Sequence, residues 1–135
     1  MKKTTQILLL LMITNIVSCN NDNEPKVYNN INGSWICKET IPYVQPRTYI
    51  VDIDRLKDTT QYIISNFYSA GENEFVFSKL TGSTLKISDN QSIGVSQMIF
   101  RSGSGVVSDD FKKIVFDYKI YDGFTERDIH AVYTR

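Results

Sequence analysis

The sequence predicts an all-β protein, an eight-stranded antiparallel up-and-down barrel that follows an N-terminal signal peptide. Three observations predict it. No helical period of three to four residues is found after residue 26. Runs rich in Val, Ile, Tyr, Phe and Thr instead alternate with clusters of Gly, Asn, Asp and Ser. The links between runs are short, which makes consecutive strands antiparallel neighbours. An open sheet of that size would leave two edges of unpaired backbone groups, and closure into a barrel removes them.

Taken in order, Lys2 and Lys3 precede the short apolar stretch Ile7–Ile13, which Thr14 and Asn15 break. A spanning helix needs ~20 apolar residues. A basic start, a short apolar middle and a small residue before the break describe a secretory signal, residues 1–18. Residues 19–29 read as a flexible tether, because Asn20–Lys26 is polar, mildly acidic and punctuated by Pro25. The domain then occupies residues 30–135. Its expected strands are Gly33–Thr40, Arg47–Asp54, Gln61–Phe67, Glu74–Leu80, Thr84–Ser88, Gly94–Arg101, Lys113–Tyr121 and Thr125–Tyr133. Ala70–Asn73, Thr81–Ser83 and Asp89–Gln91 carry turn chemistry. Asp122-Gly123 favours a two-residue type I′ hairpin. Ser102–Phe111 reads as a longer link, within which Val106-Val107 could extend a strand. Alternation assigns an interior of Trp35, Cys37, Tyr49, Val51, Ile53, Tyr62, Ile64, Phe75, Phe77, Leu85, Ile87, Ile114, Phe116, Tyr118, Ile120, Ile129, Ala131 and Tyr133.

Composition narrows function. Fifteen Lys+Arg balance fifteen Asp+Glu, so a nucleic-acid partner bound by counterion release is not expected. Two cysteines build no disulfide framework. One histidine and one free cysteine make no zinc site, and Asp52/Asp54 and Asp109-Asp110 do not form a calcium loop. Neither a metal nor a cofactor is expected. Ser102-Gly103-Ser104-Gly105 lacks the Gly-Lys-Ser/Thr ending of a phosphate loop. Cys37 and His130 would sit on neighbouring strands but on opposite faces, which argues against a nucleophile–base pair. No catalytic residue is expected.

Ile16-Val17-Ser18-Cys19 resembles the lipobox of bacterial lipoproteins. The resemblance implies that Cys19 becomes the first mature residue and carries acyl chains such as palmitate, which hold the protein to a lipid bilayer. Each buried CH₂ contributes ~0.8 kcal/mol, so two or three chains make release negligible. In that family an Asp after the Cys favours inner-membrane retention. Asn20 therefore implies an outer-membrane lipoprotein, on either the periplasmic or the exposed face.

Asn30, Gly33 and Trp35 match the Asn-x-x-Gly-x-Trp signature of lipocalins, and Arg135 matches their Arg beyond the last strand. The chain resembles the compact lipocalin-like lipoproteins of Gram-negative bacteria. The resemblance implies that Gly33 permits a sharp turn into the barrel, that Trp35 plugs its closed end, and that Arg135 packs across the indole. Alternation agrees, since Arg135 shares parity with inward Ile129, Ala131 and Tyr133. The family also implies a lid from the Thr40–Pro46 loop and a site for a small, largely apolar ligand. Tyr43, Tyr49, Tyr62, Phe77 and Tyr118 are the candidate ligand residues, with hydroxyls for orientation. The alternative is a monomeric barrel filled by these side chains, acting through its outer surface on an envelope partner.

Overall fold

The computed structural model describes residues 26–57, 59–95 and 97–135. The signal peptide, Cys19 and the tether up to residue 25 lie outside the described residues. Nine strands form: β1 (Gly33–Thr40), β2 (Arg47–Arg55), β3 (Gln61–Ser65), β4 (Phe75–Thr81), β5 (Thr84–Ile87), β6 (Gln91–Ser92), β7 (Ile99–Val107), β8 (Lys113–Tyr121) and β9 (Glu126–Thr134). All pairings are antiparallel. The circuit β1-β2-β3-β4-β5-β7-β8-β9 closes on itself through β5–β7 and β1–β9, giving an eight-stranded barrel. The two-residue β6 lies beside β7 on the side that β5 has just left.

Strict alternation makes the core. In β1, Trp35, Cys37 and Glu39 are buried between exposed neighbours, and in β8 Ile114, Phe116, Tyr118 and Ile120 are buried between exposed or half-buried ones. The expected junction of first and last strands is present, with Cys37 opposite Tyr133. At the barrel floor the Arg135 guanidinium lies between two rings, 4.1 Å from the Trp35 centroid and 3.9 Å from that of Tyr28. Its nitrogens donate to the backbone oxygens of Asn30, Asn32 (2.6 Å) and Phe111 (2.7 Å). Trp35 Nε1 donates to Ile31 O at 2.9 Å, and Ile31 is itself buried. A rigid planar fork with several donors suits carbonyls that diverge in this way.

Four expectations are corrected. The sixth long strand is β7, Ile99–Val107, and it runs straight through the Ser102–Gly105 segment expected to be a link. Packing decides this: a Cβ on Gly105 would stand 2.7 Å from Phe116 Cζ, and one on Gly103 2.4 Å from Tyr118 Cβ. These glycines are slots for aromatic neighbours, not punctuation. A bulge between Phe100 and Ser102 re-sets the register there. In β4 the parity is opposite to expectation: Val76 and Ser78 point inward, while Phe75 and Phe77 face out at 38% and 43% exposure. A shift of one residue flips a whole strand, and Val76 and Ser78 take the inward positions beside Ile64 and Tyr62 of β3. The strand expected over Gln61–Phe67 ends at Ser65, which frees Phe67 to turn inward. Finally, β8 and β9 are joined by four residues, not two. Asp122 accepts from the amides of Phe124 (3.0 Å) and Thr125 (2.9 Å), so a side-chain turn replaces the type I′ hairpin.

Candidate functional site

The end of the barrel opposite Trp35 holds a buried polar cluster. Glu39, on the inward face of β1, is fully buried. Both its oxygens are engaged. Oε2 accepts from Arg47 Nε, while Oε1 accepts from Tyr118 Oη and from Tyr49 Oη at 3.1 Å. Arg47 enters from the start of β2, half-exposed on its outer side. Its Nη2 donates to Tyr68 O at 2.9 Å, and its guanidinium lies 4.0 Å from the Tyr68 ring centroid. Burial opposes the Arg47 charge, but the Glu39 carboxylate outweighs it and holds the guanidinium above its ordinary pKa. Burial, with the nearby carboxylate, pushes the hydroxyls of Tyr49 and Tyr118 up, so both are neutral donors.

The β3–β4 connection closes this mouth from above. Phe67 is fully buried and packs edge-on to Phe100 and Phe116, and tilted at 5.1 Å against Tyr118. Tyr68 is buried beside it. The backbone turns in through left-handed Asn66 (φ 55°), Tyr68 (φ 57°) and Ser69 (φ 55°). Asn tolerates that region, whereas for Tyr it is strained. Asn66 secures the turn by donating to Ile50 O (2.7 Å) and accepting from Gly71 N (3.0 Å).

Of the expected ligand residues, Tyr49 and Tyr118 meet at Glu39. Tyr62 is buried lower in the barrel, opposite Ser78. Tyr43 stands fully exposed at a loop tip, and Phe77 faces outward. The expected lid loop buries Ile41 but leaves Tyr43 and Val44 in solvent. Alternation from Trp35 and Cys37 already puts Glu39 inside, and alternation from Tyr49 puts Arg47 there. That signal locates the cluster even though charge argues against burial. Nothing local in the sequence marks Phe67 as the plug.

Cys37 is buried below Glu39, and desolvation, the largest influence, pushes its thiol up to about 12. The buried Tyr133 hydroxyl faces this thiol, and burial, its largest influence, pushes it up as well. His130 faces outward, as alternation requires, with Nδ1 2.7 Å from Asp117 Oδ1. This pair lines a cavity of about 480 Å³ together with Thr40 and Pro42, with Lys119 and Asp128, and with the inward-facing Tyr118 and Ile129. Among the described residues no group of three or more His, Cys, Asp or Glu is placed to hold a metal ion. No described helix is long and apolar enough to cross a membrane. Comparison with protein-family models, with curated proteins and with solved structures finds no match to this chain.

Proposed function

We propose that the protein is a lipid-anchored lipoprotein of the bacterial envelope whose filled, lipocalin-like barrel works through its outer wall as an interaction module. One observation carries this reading: Phe67 and Tyr68 are buried at the mouth, where a carrier would admit its ligand. Trp35, Tyr133, Phe67, Phe100 and Phe116 are all fully buried and fill the interior. The anchor rests on the residues around Cys19, and Asn20 favours the outer membrane.

The test is native mass spectrometry of the full chain extracted from its membrane. The expected mass is that of the acylated protein alone, and a retained small molecule overturns the filled-barrel reading. The substitution C19S is expected to remove the acyl mass and release the chain into the aqueous fraction; retention in the membrane would remove the anchor from the proposal.

A second reading has one observation in its favour. The segment that fills the mouth is the one with strained backbone at Tyr68 and Ser69, and strain concentrates where segments move. A small, largely apolar ligand would enter by displacing it, with the Tyr49 and Tyr118 hydroxyls and Glu39 at its polar end. The truncation F67A would then raise affinity for a fluorescent lipophile; a filled barrel shows no uptake in the unmodified protein.

A further inference from the structure

We propose that the first half of β4 is a docking edge for an extended peptide segment of a partner protein, which adds a strand beside Phe75–Phe77. This rests on the outer-wall reading above. The seam arises from strand offset. β5 pairs only with Ser78–Thr81 of β4 and ends at Ile87. The chain then turns and continues as β6 along β7, not along β4. Among the described residues, Phe75–Phe77 therefore has no strand neighbour on that side, although the rest of the barrel is closed.

What fills the seam identifies what it accepts. The Gln91 side-chain amide accepts from Phe77 N and donates to Phe77 O at 3.0 Å. A carboxamide is the side-chain equivalent of a peptide group. It here makes the paired N–H···O and C=O···H–N contacts that an adjoining strand makes. A whole side chain thus stands between backbones that in a ladder lie about 4.8 Å apart. The surface beside the seam is apolar. Phe75 and Phe77 meet edge-to-face at 5.3 Å, and Val95 is 95% exposed. Together with Gln91, Ser92 and Gly94 they line a cavity of about 380 Å³. Glu74 accepts from Val95 N at 2.6 Å and ties the far lip to β4. Backbone bonds would supply affinity, and the two rings would select apolar side chains at alternate positions, the division of labour in strand addition.

The probe is a capped six-residue peptide of alternating valine and threonine, titrated into the full chain and followed by the amide resonances of Phe75 and Phe77. A control peptide is N-methylated at alternate residues and cannot form a ladder. The expected result is shifts centred on Phe75 and Phe77, none with the control, and about tenfold tighter binding to the variant Q91A, which lacks the internal competitor's two hydrogen bonds. Equal binding of the control, shifts elsewhere, or no binding to Q91A at millimolar peptide would overturn the proposal. So would self-association of Q91A through this edge, which would make a second copy the occupant. A small molecule retained in the native mass spectrum would remove the outer-wall reading itself, whereas a failed titration of an empty barrel removes only the edge.

Discussion

Replacing Arg47 by methionine leaves Glu39 with its carboxylate fully buried and takes away its one ion-pair partner among the described residues. Breaking a buried pair in this way costs about 3–5 kcal/mol, because the remaining charge is uncompensated. An exposed pair is worth about 0–1 kcal/mol. Arg47 is 36% exposed on its outer side, so water shares some of its charge and the lower end applies, about 3 kcal/mol. In urea this lowers the midpoint by roughly 1–3 M. Trp35 is the sole tryptophan and lies fully buried at the opposite floor, so its emission reports global unfolding, not the mutated site. The double substitution E39Q/R47M removes the charge but keeps an acceptor for Tyr49 and Tyr118. Its loss should shrink to about 1 kcal/mol, since removing both partners is far milder than removing one. A loss under about 1 kcal/mol for R47M alone, or a double variant no better than the single, would refute the idea of a desolvated carboxylate held by this guanidinium.

At the floor, R135A removes a guanidinium that bridges Asn30, Asn32 and Phe111 and stacks on Trp35. The expected loss is about 2–4 kcal/mol with a red shift of tryptophan emission, and R135K should recover little of it because an ammonium cannot make the fork. Cys37, buried and shifted to about 12, should resist iodoacetamide at pH 8 in the folded protein and react on unfolding; labelling at the rate of a free thiol would contradict its place in the core. Asp122 is held at about 2, against an ordinary 3.8, by the Thr125 amide first, then Arg127 and the Phe124 amide. A depressed carboxyl stabilises the fold above its unfolded value, and that contribution is lost as the pH falls from about 4 to about 2. D122N should flatten the acid limb of the stability curve in that window, and an unchanged limb would show that the turn does not depend on this charge.

Much of the fold is legible along the chain because the barrel interior imposes period two. The β1, β8 and β9 alternations, with first and last strands joined, agree by parity with the Trp35–Arg135 contact that the resemblance implies. The failures fall where three-dimensional volume overrides local pattern. Ser102–Gly105 carries turn chemistry, yet Gly103 and Gly105 are required by the ring of Phe116 and by Tyr118 on the neighbouring strand. Phe75 and Phe77 look like core residues, yet β4 turns Val76 and Ser78 inward in their place while Phe67 enters the core from the connection before it. The Glu39–Arg47 cluster is visible as parity but not as chemistry, because only the packed barrel brings Tyr118, seventy-nine positions away in sequence, to the same carboxylate.

The sequence by itself determined an all-β body and the antiparallel order of its strands, because each depends on residue types read within a few positions. Tertiary structure alone decided that the mouth is plugged, that β4 turns its aromatic rings outward and that a seam opens beside Phe77. These depend on how much volume the interior leaves and on where β5 ends against its neighbours, quantities that no local window of residues contains.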